Sequence, residues 1–205
     1  MKQNQNYVKK IVMMGMLTAI SSALMLLDTP LPLLPPFLKL DISAVPIFLS
    51  SFLFGPWEAV LISLVKAIIN LLTTDSAGVG QLADFLITAS FALTGGFIYK
   101  KLSNAKGALI SCISSVAVIT LVGALANYYI LLPFYAKVYM PYNAIIAACQ
   151  AINPAITDLK GYILFGVVPF NLIKGVLVAG LTMILYKRLK GYVIPVQSKD
   201  MVQSK

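Results

Sequence analysis

The sequence contains no histidine, seven acidic residues, two cysteines and a single tryptophan among 205 residues. Without histidine, the usual general base and a common metal ligand are both missing, so neither triad nor metal catalysis is expected. Cys112 and Cys149 lack metal-ligand spacing, and nothing in their positions supports a disulfide between them. No segment matches a Walker A loop: "GVGQLADF" (78–85) has glycines but not the trailing Gly-Lys-Ser/Thr. Charge of either sign is scarce, at 11% of residues against 59% hydrophobic, and mean hydropathy is +0.87. Soluble domains of this size do not reach such values, and the apolar residues come in long runs. The composition predicts one integral membrane domain over residues 1–205.

What charge there is carries the topology. The net charge of +9 comes from lysines and arginines clustered beside the hydrophobic runs. That is the pattern of the positive-inside bias rather than of a nucleic-acid face. The first run lacks a small-residue cleavage site and is expected to stay as a helix. Six apolar segments can be drawn, at about 8–27, 42–54, 57–73, 82–99, 107–134 and 161–186. "FGPWEA" (54–59) divides the second from the third, because the residue before proline avoids the helical region. With six spans, the clusters Lys2/Lys9/Lys10, Lys100/Lys101/Lys106 and Lys187/Arg188/Lys190 all fall on one side. Five spans would export two of them. The expected fold is therefore all-α, with six transmembrane helices and both termini cytoplasmic. The outward connections are 28–41, 73–84 and the long stretch 135–160. The first of these, "DTPLPLLPPFLKLD", is unusually apolar, and fits either a lid over a pocket or a segment resting on the membrane interface.

Polar residues inside the spans point to an outward-facing pocket. Asn171 and Lys174 lie three apart, on one helix face, in "VVPFNLIKGVLVAG". A charge at membrane depth costs a few kcal/mol and usually faces a cavity, although pairing with a neighbouring helix's carbonyls would also accommodate it. Pro169 sits best in a first turn, so 161–168 is expected to be an irregular lead-in. Asn127 is a second buried amide. The aromatics after it (Tyr128, Tyr129, Phe134 and Tyr135) fit an interfacial belt or a ligand wall. Lys66 and Asn70 stand at i and i+4 and are expected to satisfy each other. In the first span Gly15, Ala19 and Ala23 recur every four residues, a spacing that lets helix backbones approach closely, within this chain or with a partner.

Several stretches taken in order resemble a known family: Ala19-Ile20-Ser21-Ser22-Ala23, "LKLDISAVP", "FGPWEA", "GVGQLADF", "NYYILLP" and "PFNLIKG". Together they are similar to the RibU-type, riboflavin-binding S components of energy-coupling factor transporters, over nearly the whole chain. The resemblance implies a six-helix vitamin-binding protein of the bacterial cell membrane that works with a transmembrane coupling subunit and two ATPases. It implies that Ala19 and Ala23, with Gly15 on the same seam, contact the coupling subunit. Asn127, Asn171 and Lys174 would bind the ligand, while Asp84 stands where relatives are expected to have asparagine. Riboflavin would be the transported ligand and not a cofactor. An uncharged tricycle ending in an imide-like edge suits amide and ammonium donors. An S component for a different vitamin, a membrane enzyme and a self-sufficient secondary transporter are the alternatives. The last two are weakened by the missing histidines, the lack of paired carboxylates at one depth and the absence of an internal repeat.

Overall fold

Gly55 and Pro56 break the chain where the sequence predicts. Gly55 adopts φ +120°, a conformation that favours glycine, and the next helix begins at Pro56. There a missing N–H costs nothing, because first-turn donors have no intrahelical partner. A computed structural model describes residues 2–32, 34, 38–74, 76–138 and 141–203 of the chain. Its helices are α1 (Lys2–Met25), α2 (Ala44–Leu53), α3 (Pro56–Asn70), α4 (Val79–Lys101), α5 (Ala105–Ala126), α6 (Leu132–Val138), α7 (Tyr142–Ile152), α8 (Leu159–Tyr162) and α9 (Val168–Gln203). A hairpin of two-residue strands, β1 (Thr29–Pro30) antiparallel to β2 (Lys39–Leu40), lies between α1 and α2.

Five helical stretches are long and apolar enough to cross a membrane: Gln5–Met25, Pro56–Thr73, Val79–Lys101, Ala105–Val138 and Leu159–Arg188. The expected segment 42–54 is different. Helix α2 has ten residues, all buried, and at 1.5 Å per residue it reaches only about 15 Å, half of a ~30 Å hydrocarbon core. It is sheathed by α1, α3, α4 and α9. Its C-terminal end belongs to the basic end of the bundle. There Lys10 Nζ donates to Glu58 Oε1 at 2.7 Å, and the Tyr99 and Tyr186 hydroxyls meet at 3.1 Å. Phe52 packs on both tyrosines, with ring centroids at 4.5 and 5.8 Å. The other end of α2 stops at the level of Ser21, whose hydroxyl donates to Ser43 O. Non-helical backbone, residues 38–43, leads into α2 at that end. Such backbone is tolerated at depth only where protein buries it or a cavity adjoins it.

The opposite end of the bundle is roofed by a second apolar cluster, which includes Leu38, Leu132, Ile145, Ile146, Cys149, Tyr162 and Phe170. Leu31, Leu34 and Leu40 of the apolar first loop pack against it, while Leu33 and Pro35–Phe37 of that loop lie outside the described residues. The stretch 135–160, read from sequence as a connection, contains α7. Its Ile145, Ile146 and Cys149 form the buried face of an otherwise exposed eleven-residue helix. Cys149 belongs to this cluster and Cys112 to the one around Phe48 and Phe52, and both thiols are free.

Candidate ligand-binding site

Two helices loosen by one residue per turn where the site lies. Asn127–Leu131 at the end of α5 and Ile163–Val167 before α9 are π-helical turns, an irregularity common at functional sites. The second stands where an irregular lead-in to Pro169 is expected. Proline has no N–H to give to the turn before it, and the wider turn absorbs the mismatch while keeping the helix continuous.

Between these turns, the hairpin and the ends of α1, α3 and α4 lies a cavity of about 580 Å³. Asn127, Asn171 and Lys174, singled out in the sequence from two separate segments, all line it. Asn127 is held at both ends of its amide: Nδ2 donates to Gly123 O at 2.9 Å, and Oδ1 accepts from the Tyr162 hydroxyl at 3.0 Å. Asn171 donates through Nδ2 to Val167 O at 2.9 Å, but its Oδ1 is buried with no hydrogen-bond partner among the described residues. Leu131, Tyr135 and Phe170 supply apolar wall, whereas Tyr128 and Tyr129 face outward. The aromatic run is therefore divided between wall and exterior.

Lys174 has an answer that the sequence did not offer. Its Nζ donates to Asp41 Oδ2 at 2.6 Å and lies 3.5 Å from Asp84 Oδ1. Asp84 in turn accepts from Lys66 at 2.6 Å, and Lys66 also donates to Ser43 Oγ at 2.7 Å. Ser43 closes the group, because its N–H donates to Asp41 Oδ1 at 2.8 Å and its hydroxyl bonds the same oxygen. Two carboxylates and two ammonium groups thus form a neutral quartet. Lys66 is 0% exposed, and Asp41 and Lys174 are below 10%. This corrects two expectations. Lys66 does not satisfy Asn70, which instead donates to Met25 Sδ at 2.9 Å. Paired acids do stand at one depth, each engaged by a cation. The available signal was electrostatic: isolated lysines in apolar helices require anions, and Asp41 and Asp84 lie beside equally apolar runs.

Gly15, Ala19 and Ala23 lie away from the cavity and are exposed along α1. A Cβ built on Gly15 would meet nothing within 4 Å.

Residues 9–186 match the family model of the ECF transporter substrate-specific component. The chain belongs to this family. Over 191 residues this S component is 35% identical to the riboflavin transporter RibU of Staphylococcus aureus (strain TCH60), covering 93% of this chain and 95% of that one. It is 33% identical to the riboflavin transporter FmnP of Bacillus subtilis (strain 168), covering 91% and 94%. The solved S component of a bacterial ECF transporter superposes with a TM-score of 0.72 at 34% identity, over 92% of this chain and 98% of that one. The S component is accordingly a multi-pass membrane protein and part of a transport system, not an enzyme.

Proposed function

We propose that this S component binds riboflavin from outside the cell and delivers it inward with a coupling subunit and two ATPases. The observation that carries the reading is the convergence of Asn127, Asn171 and Lys174 on one cavity of about 580 Å³, a size typical of small-molecule sites. The donors and acceptors suit an imide-like edge. An ammonium has three N–H donors, and those of Lys174 not spent on Asp41 and Asp84 can meet a ring carbonyl. A turn of the Asn171 carboxamide toward the cavity would bring its buried Oδ1, unpartnered among the described residues, to the neighbouring ring N–H. The quartet leaves no unbalanced charge, which agrees with an uncharged ligand. The riboflavin-transporter relatives support the same choice.

We further propose six membrane passes with both ends cytoplasmic and the cavity opening outward. In this reading the hairpin, residues 41–43 and α2 together make the second pass. The grouping of Lys10, Lys100, Lys101, Lys187 and Arg188 away from the cavity supports it through the lysine/arginine bias. Protein purified from a flavin-producing host should be yellow and release riboflavin on denaturation, identified by mass. Colourless protein that binds another vitamin would reassign the substrate. For orientation, a membrane-impermeant maleimide should label Thr74→Cys but not Ser103→Cys in intact cells, and the reverse pattern would invert the topology.

A further inference from the structure

Both amides of the site rest on one glycine. Gly123 lies buried on α5, one turn before Asn127, and its carbonyl receives the Asn127 Nδ2 donor. Its other contact is steric. A Cβ built on Gly123 would stand 2.5 Å from Asn171 Nδ2, 2.6 Å from Cγ and 2.7 Å from Oδ1. Those are the whole planar end of the carboxamide, and real Cβ atoms do not come so close. Asn171 is 1% exposed and its Nδ2 is tied to Val167 O at 2.9 Å, so the amide can yield only by giving up that bond or by shifting toward the cavity it lines, and either move takes it from its seat. Alanine would be the better helix former at this position, so what glycine supplies is space. That space sets where the Asn171 carboxamide stands beside the cavity, with its Oδ1 buried and without a partner among the described residues.

We propose that Gly123 is the positioning residue of the ligand site, seating Asn127 through its carbonyl and Asn171 through its missing side chain. The proposal rests on the riboflavin reading of that site. It has a consequence that a general packing role lacks: the effect of a side chain at 123 must pass through Asn171.

The test is a double-mutant cycle in riboflavin Kd, read by flavin fluorescence quenching on purified, ligand-stripped protein, with the ligand-free melting temperature of each variant alongside. Gly123→Ala should weaken binding by about ten- to hundredfold, the scale of one lost hydrogen bond to a buried group. In the Asn171→Ala background, the same change should cost less than about threefold, because the clashing atoms are gone. Ligand-free melting should barely move in the double variant. Wild-type affinity in Gly123→Ala, or losses that multiply independently, would overturn the proposal. Should Gly123→Ala alone fail to fold while the double variant folds, the conflict with Asn171 is supported. If neither folds, glycine is needed for packing irrespective of Asn171 and the proposal is wrong. Wild-type protein that binds no riboflavin would overturn the substrate reading first, and this proposal with it.

Discussion

Replacing Lys66 with methionine removes one cation from a quartet that is otherwise neutral, and the structure gives the consequence a size. The side chain is fully buried, 2.6 Å from Asp84 and 2.7 Å from the Ser43 hydroxyl. Methionine approximates its volume, so the main loss is electrostatic. Asp84 keeps only Lys174, at 3.5 Å, which already serves Asp41 at 2.6 Å. Breaking a buried pair from one side costs on the order of 3–5 kcal/mol, since it leaves a charge without compensation. The single variant Asp84→Asn strands Lys66 in the same way and should cost a similar amount. The double variant Lys66→Met/Asp84→Asn restores neutrality and leaves Lys174 paired one-to-one with Asp41, so it should regain more than half of the loss. The assay is thermal unfolding of ligand-free protein in detergent, followed by tryptophan fluorescence or by aggregation of a fluorescent fusion. Two destabilised singles and a recovered double are expected. Additive losses, with the double variant worse than either single, would refute the idea that the four groups act as one balanced unit.

Lys174→Ala should weaken riboflavin binding about ten- to hundredfold, from the roughly 1.5–3 kcal/mol of a charge-assisted hydrogen bond, as measured by titration calorimetry; unchanged affinity would leave it only the Asp41 partnership. Asn127→Ala should have a smaller effect in the same assay, because both ends of its amide are bonded within the protein. Asp41→Asn leaves the quartet beside the cavity one positive charge in excess. It should therefore lower the preference for riboflavin over its 5′-phosphate, which carries about two negative charges at neutral pH, and an unchanged ratio of dissociation constants would show that lining charge does not select the ligand. Ala19→Trp or Ala23→Trp should abolish uptake by cells that express the coupling subunit and ATPases, yet leave binding by the purified protein intact. Both residues are exposed on α1, outside the cavity, so loss of binding would mean that the seam serves the fold.

Local signals in the sequence carried much of the architecture. Apolar runs located the five long helices to within a few residues, and the Gly55-Pro56 break separated α2 from α3. What escaped depends on distance along the chain or on partners. Residues 42–54 are apolar enough to suggest a span. Only the bundle reveals that they form a ten-residue helix buried on every side, apolar because of its neighbours rather than because of lipid. Helix α7 escaped because Tyr142–Ile152, although apolar, has only eleven residues, too few to read as a span. At the site, Asn127, Asn171 and Lys174 were legible as polar groups in apolar surroundings. Their ionic companions were not: local spacing offered Lys66 the residue one turn away, whereas its carboxylate lies 18 positions distant and that of Lys174 lies 133.

The quartet changes what the buried lysine means. A lone ammonium in an apolar helix would attract any anion that reached it, and would select by charge. Held at 2.6 Å by Asp41, the same ammonium has its charge balanced, and what remains are N–H directions fixed by the carboxylates on its other side. Asp41 is fixed in turn by the Ser43 backbone, and the Ser43 carbonyl by Ser21 of α1. The non-helical backbone before α2 is therefore what brings a carboxylate to the lysine, because there the Ser43 N–H turns onto Asp41 and leaves its other oxygen to Lys174. Under the riboflavin proposal, a site built in this way would discriminate through the geometry of donors and acceptors, which is what recognition of an uncharged ring edge requires.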